Sequence, residues 1–348
     1  MSVLGSRLSA GLDIGDYSAK LLVLHPGMGG SRFDVAEVPL PRPTPDAPSP
    51  PEGIAQAVAD CCTALGLGVR ALRGLTLGLS GSDVIVKQIS LPIMDDGEVP
   101  GALRFEARKH LPFDPQSCMI DYQLLARLPS EKRLELLLAA VPQASLDRAL
   151  APLKLLGVDA GIVDAAPLAL TNALSRGSER DTEARVLLDF GHAGSWLTLY
   201  QRGRPYFSRR LEFGGLALTR AIAAGLRVPF EEAEEWKLEA GADDSSVRVS
   251  ADSMESQAMH KALEALTDEL RRSFSYYRTM APLPEPFTLW ISGGTARLPG
   301  IAAELSALLD VTTCVFDPLE SLGGPTREGA TAGGPQFAQA YGLALRVA

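Results

Sequence analysis

Leu12-Asp13-Ile14-Gly15 and, 176 residues further on, Leu188-Asp189-Phe190-Gly191 are the two stretches on which the fold turns. Each Asp-x-Gly is followed by turn-forming residues and then by an apolar run, Leu21-Leu22-Val23-Leu24 in the first half and Leu197-Thr198-Leu199-Tyr200 in the second. Both copies read as strand, tight turn and strand: a β-hairpin with an acidic residue at the end of its first strand and glycine in the turn. The spacing is about half of the 348 residues, so the chain reads as a duplication. Two such halves facing each other make a cleft lined by two carboxylates and two sets of turn amides.

Outward from the repeat, strand-like runs alternate with amphipathic helices, the mark of an α/β class with mostly buried sheets. Strands are expected at 20–24, 74–79, 134–141, 185–190, 195–200 and 287–291. The clearest helix is 254–280, where Leu263, Leu266, Leu270, Phe274 and Tyr277 recur three and four apart. Others are expected near 52–66, 98–111, 144–156, 215–224, 230–240 and 299–309. Seven prolines in the thirteen residues from Pro39 to Pro51 exclude a helix or central strand there and predict an extended surface connector. The glycine-rich stretch Ser321 to Pro335 predicts a mobile loop.

Composition narrows the function. With 33 Lys+Arg against 42 Asp+Glu, a formal net charge of −9, the chain lacks the concentrated positive charge that nucleic-acid backbones require. Cys61, Cys62, Cys118 and Cys314 show no metal-binding or redox spacing, which places the chain in a reducing compartment. The N-terminal apolar stretch is broken by Asp13, Asp16 and Lys20, and that around Leu155 to Leu170 by Asp159, Asp164 and Pro167, so neither a signal peptide nor a membrane span is expected.

The chemistry suggested by the repeat is phosphate binding. A hairpin turn can point successive backbone N–H groups into a cleft, and glycine lets the main chain approach without a Cβ clash. Asp13 and Asp189 are then placed to hold hydrated Mg²⁺, an ion that prefers oxygen ligands and keeps several waters, and Lys20 to face the phosphates. A single Asp-x-Gly is commonly only a turn; it is the duplication that raises the reading above that. The element from Leu289 to Gly300, with Gly293-Gly294, follows a strand and opens a helix, where backbone can pack flat against a nucleoside. Gly214-Gly215 before the helix at 216–224 offers the same choice between a ligand contact and a tight turn.

In the order LDIGDYSAK, IVDAAPLAL, LLDFGHAGSWLTLY, FGGLALTRAI, EEAEEWK and ISGGTARLPG the chain resembles the actin, sugar-kinase and heat-shock-chaperone superfamily of nucleotide-binding proteins. Within it the chain is similar to the PilM family of actin-like type IV pilus assembly proteins over nearly its whole length. The more specific signatures are QISLPIMDDGEVPGALRFEARKHLPFDP followed by Asp121-Tyr122, RPYFSRRLEFGGLALTRAI, and the closing Ala340-Tyr341-Gly342-Leu343-Ala344-Leu345-Arg346. The resemblance implies a duplicated actin-like ATPase fold: a first lobe at 1–90 and 161–184, an inserted subdomain of the kind shared with FtsA at 91–160, and a second lobe at 185–348.

It also implies a site. Asp13, Gly15 and Lys20 fall in the first phosphate loop with Asp16, Tyr17 and Ser18 between them, and Asp189, Gly191 and Ser195 in the second. Asp164 falls where superfamily ATPases place a polar residue near the attacking water. Gly214 and Gly215 approach the ribose, Gly293 and Gly294 flank the adenosine, and Glu234 and Lys237 sit where relatives contact it, although three apart on one helical face they read equally as an exposed ion pair. Four residues at three places depart from the family: Asp16 and Tyr17 replace small residues, His192 replaces another, and Thr295 stands in place of a glycine. A carboxylate beside phosphates repels them, so hydrolysis is expected to be slow or absent.

The implied function is a cytoplasmic scaffold of the type IV pilus inner-membrane platform that binds ATP with Mg²⁺. Its implied partner is the cytoplasmic N-terminal tail of PilN, alongside other platform proteins, with self-association left open. The tail is expected in a groove of the first lobe and insert around Ile89 to Asp121, where Leu91, Ile93, Leu103, Phe105, Leu111 and Phe113 offer apolar anchors, some of them the insert's own core. Alternatives are a small-molecule kinase of the sugar type, for which the sequence shows no acceptor motif, an FtsA-like filament, and the actin-like part of a type II secretion protein. The last two normally carry a membrane helix or span, which this sequence does not show.

Overall fold

The computed structural model describes residues 9–25, 32–42, 47–175, 184–201, 204–242, 254–280, 287–320, 322 and 334–346. The first half begins with three antiparallel strands, β1 (Ser9–Ile14), β2 (Ser18–His25) and β3 (Arg32–Pro39). The expected connector follows: Pro41, Arg42 and residues 47–50 have no helix or strand, and 43–46 lie outside the described residues. It leads into α1 (Pro51–Ala64), which starts on proline, where a missing N–H breaks no helical bond. Strand β4 (Thr76–Leu79) comes next.

A separate three-stranded sheet is then inserted: β5 (Ile85–Pro92), α2 (Val99–Ala107), β6 (Cys118–Leu128) and β7 (Arg133–Pro142), in the order β5-β7-β6. The chain returns through α3 (Gln143–Leu155) to β8 (Ile162–Ala165) and α4 (Ala166–Ser175). The insert therefore runs from 85 to 142 rather than from 91 to 160. Its first strand opens at Ile85, while Leu153 of α3 and Val158 join the core of α1 and the first sheet.

The second half repeats the plan: β9 (Arg185–Phe190), β10 (Ser195–Gln201), β11 (Arg204–Leu211), α5 (Gly215–Leu226), α6 (Phe230–Ala242), α7 (Met254–Met280), β12 (Leu289–Ser292), α8 (Ile301–Leu309) and β13 (Thr313–Val315). The two sheets have the same order, β3-β2-β1-β4-β8 and β11-β10-β9-β12-β13. In each, the aspartate-bearing strand lies between an antiparallel hairpin partner and a parallel strand. Helix α7 matches its expected span; Leu263, Leu266, Leu270, Phe274 and Tyr277 are buried in the core with Val186, Leu188 and Phe190 of β9.

Periodicity does not mark β3, β5, β6, β8, β11, β13, α4 or α9 (Ala338–Ala344). The two helices show why. All seven residues of α9 and seven of the ten of α4 are buried, so neither carries a polar face against which an apolar stripe could stand out. Although α9 falls in the segment expected to form the second lobe, it packs on the first: Ala340, Tyr341 and Ala344 share a core with Leu22, Leu24, Phe33, Val35 and Ala173. The packing is flush. A Cβ on Gly11 of β1 would stand 2.1 Å from the Ala340 carbonyl oxygen, and one on Gly342 would stand 1.7 Å from that of Ala169. Of the glycine-rich stretch 321–335, all but residues 322, 334 and 335 lie outside the described residues.

Candidate functional site

Asp13 and Asp189 hold the penultimate positions of β1 and β9, and both hairpin turns open into one cleft of about 360 Å³ between the lobes. Of the residues expected at a site, Asp13, Gly15, Asp16, Tyr17, Ser18 and Lys20 line one wall, and Asp189, Gly191, Gly215, Glu234, Lys237, Gly293 and Gly294 the other. His192 and Thr295 line it too, Thr295 Oγ1 donating to the Gly191 carbonyl at 3.0 Å. Gly293 has φ +87°, and a Cβ there would meet the Phe190 backbone at 2.5 Å, so this turn takes only glycine.

The two carboxylates sit in different surroundings. Asp13 faces Lys20 directly across the hairpin at 3.4 Å and accepts from Gln339 Nε2 at 2.9 Å. Burial raises its pKa against the pull of Lys20. Burial also works against charge on Lys20, but Asp13, Glu37 and Asp189 outweigh it and hold the ammonium above its ordinary value. In the second copy Trp196 stands opposite Asp189 in place of a lysine. Asp189 accepts from Ser292 Oγ at 2.8 Å, and burial, reinforced by the charge of Asp13, pushes it up to about 6. One lysine for two facing carboxylates leaves room for a cation. Two carboxylates from opposite hairpins, Asp13 and Asp189, are a donor set that fits a divalent ion keeping several of its waters.

Glu234 and Lys237 are not the exposed pair that their spacing allows. They meet at 2.7 Å inside the cleft wall, both more than nine-tenths buried. Lys237 also donates to Thr219 Oγ1 at 2.7 Å and to the Gly215 carbonyl at 3.1 Å. Asp16 is largely exposed and lies 3.9 Å from Arg210. His192 Nε2 accepts from Arg42 Nη1 at 2.6 Å; burial first, then Arg42 and Lys237, bring its pKa down to about 4, so the imidazole is neutral.

Three expected site residues lie off the cleft. Ser195 is fully buried and its Oγ donates to the Phe213 carbonyl at 2.6 Å. Gly214 packs between turn and helix, where a Cβ would meet the His192 carbonyl oxygen at 2.3 Å. Asp164 pairs in register with Gly78, whose own Cβ direction points at Gln339 and Leu343 of α9, and its carboxylate meets Arg346 at 3.1 Å. It therefore faces the side of α9 and does not line the cleft. Conversely Glu37, Ser80, Arg210, Arg297, Gln336 and Gln339 line the cleft without having been read from the sequence. Gln336 and Gln339 offered a signal, being buried amides in the otherwise apolar run 335–345.

A duplicated sheet with two facing acidic hairpins and a glycine-bounded cleft between the lobes defines the actin-like ATPase fold. The chain matches the type IV pilus assembly protein PilM family over residues 11–348 and belongs to it. It is similar to the solved PilM-PilN type IV pilus biogenesis complex, at 27% identity over 98% of this chain and 98% of that one with a TM-score of 0.82. The fold alone is shared with ethanolamine utilization protein EutJ from Carboxydothermus hydrogenoformans, at 16% identity over 99% of this chain and 91% of that one with a TM-score of 0.57. The same holds for MreB5 of Spiroplasma citri bound to ADP, at 12% identity, 97% and 95% coverage and a TM-score of 0.51. No helix among the described residues is long and apolar enough to cross a membrane.

Proposed function

We propose that this chain is a cytoplasmic ATP-binding scaffold of the type IV pilus inner-membrane platform, holding ATP with Mg²⁺ in the cleft and the N-terminal tail of PilN beside it. The observation that carries the nucleotide reading is the pair of aspartate-bearing hairpins facing one another across a single cleft. Asp13 and Asp189 would hold the ion through water, and the ion would neutralise phosphate charge. Lys20 and the turns at 15–18 and 191–194 would meet the phosphates; Glu234, Lys237, Gly293 and Gly294 would meet the nucleoside. With Asp164 turned to α9, the residue that the resemblance placed near an attacking water is off the cleft wall, which supports slow or absent hydrolysis.

Family membership and the likeness to the PilM-PilN complex support the partner. In the insert, Leu91, Leu103 and Leu111 belong with Ile89 to its own core, Phe113 packs on that core, and Ile93 and Phe105 are exposed. None of the residues from Ile89 to Asp121 lines a cavity of about 660 Å³ that offers the better groove: it lies on the first lobe, lined by Leu40, Ile54, Leu79, Val84 and Ala149, with Val141 its one contribution from the insert and Ala193 and Leu216 reaching it from the second half. A disordered tail would bury a few apolar side chains there, with moderate affinity.

The test is titration of labelled ATP and of the PilN tail into one preparation. ATP should bind only with Mg²⁺ and be lost in Asp13→Ala or Gly191→Val, whose Cβ would meet the Gly194 carbonyl oxygen at 2.6 Å. Ala149→Glu should weaken the tail at least about tenfold and spare ATP. A wild-type chain that binds neither contradicts the reading.

A further inference from the structure

The cations around the cleft are nearly all neutralised. Lys20 faces Asp13 at 3.4 Å and Lys237 faces Glu234 at 2.7 Å. Arg210 lies 3.9 Å from Asp16 and 3.5 Å from Glu212, and Arg297 lies 3.9 Å from Glu37. Arg42, which lines the adjoining cavity and reaches the rim of the cleft through Tyr17 and His192, differs: among the described residues it makes no ion pair with a carboxylate. Two uncharged groups hold its guanidinium. Nη1 donates to His192 Nε2 at 2.6 Å, and Cζ stands 4.9 Å from the centre of the Tyr17 ring, which in turn lies 5.2 Å from the imidazole.

The location matters as much as the missing partner. Tyr17 belongs to the turn between β1 and β2, and His192 to the turn between β9 and β10, so the guanidinium sits where the two turns that would cradle phosphate come together. Arg42 is delivered to them by the proline-rich connector. A neutral imidazole is a weak holder of a guanidinium compared with a phosphate oxygen, which offers a charge-assisted and bidentate partner. The Tyr17 face keeps the cation within reach of either.

We propose that Arg42 is a specificity residue that reads the terminal phosphate, leaving His192 when a nucleoside triphosphate is bound and staying on it when a diphosphate is bound. This rests on the reading of the cleft as a nucleotide site. As the remaining phosphates are met by Lys20 and the turn amides, losing Arg42 penalises the triphosphate selectively.

Equilibrium dialysis of labelled ATP and ADP, each with Mg²⁺, against the full chain, Arg42→Gln and Arg42→Lys tests this. The wild-type chain should favour ATP. Arg42→Gln should lose ATP affinity about tenfold or more with ADP affinity within about twofold, and Arg42→Lys should recover part of the loss. ADP binding by Arg42→Gln also reports that the variant is folded. Equal losses for both nucleotides, the mark of a contact that merely joins the lobes, or no loss for either, would overturn the proposal while leaving the nucleotide reading intact. A wild-type chain that binds neither nucleotide would overturn both.

Discussion

Asp189 shows how position in a duplicated fold changes the behaviour of one residue type. Its folded pKa of about 6 lies above that of an unfolded aspartate, so the folded chain takes up the proton first as pH falls. The contribution to stability is therefore greatest below the unfolded pKa near 4 and is lost as pH rises through about 6. Asp189→Asn should thus stabilise the ligand-free chain by about 2 kcal/mol at pH 7.5, with the gain shrinking toward pH 4.5, while magnesium-dependent nucleotide binding falls. Urea melts of both proteins at the two pH values check it. Burial raises Asp164 as well, against the pull of Arg346: Arg346→Ala should cost about 1–2 kcal/mol of stability by leaving a buried carboxylate unpaired, with nucleotide affinity unchanged by dialysis. Asp13 and Asp189 were legible because an Asp-x-Gly appears twice at the end of an apolar run. The roles of Ser195 and Asp164 were not, because a motif fixes residue type but not the side of the strand from which the side chain leaves.

Among the elements, α7 was legible along its whole length because its apolar residues form one stripe against the second sheet. Helices α4 and α9 escaped the same reading because burial on every side erases the stripe. The insert's edges moved for a related reason: where β5 begins and α3 starts to serve another core is decided by contacts distant in sequence. Among the described glycines, Gly342 at the contact of α4 with α9 leaves a side chain the least room. With 1.7 Å between a hypothetical Cβ of residue 342 and the Ala169 oxygen, Gly342→Ala must part the two helices. A loss of about 3 kcal/mol or more, or no folded protein, is expected in urea titrations followed by circular dichroism. Gly101→Ala in α2, whose Cβ would meet nothing within 4 Å, should be neutral or slightly stabilising.

For the molecule as a whole, the duplication and its paired hairpins were legible from two tetrapeptides, while the order of the sheets around them and the joining of the halves were not. The cleft and the cavity proposed for the PilN tail share Gly15, Asp16, Ser80 and His192, and Arg42 borders the latter. A side chain that moves with the terminal phosphate would therefore reshape both. ATP should change the affinity for the tail while ADP leaves it near the ligand-free value, and the tail should change ATP affinity by the same factor, as calorimetry in both orders would show. The return of α9 to the first sheet has a further consequence, one for biosynthesis. Gly11 and Leu22 leave the ribosome before any of the second half is made, yet their cover arrives only when translation has passed Ala344. The leading half must emerge with an uncovered apolar face and wait through the making of the trailing one. Nascent chains stalled before α9 should thus be the species that chaperones hold and proteases cut, and the finished protein should acquire resistance in one late step.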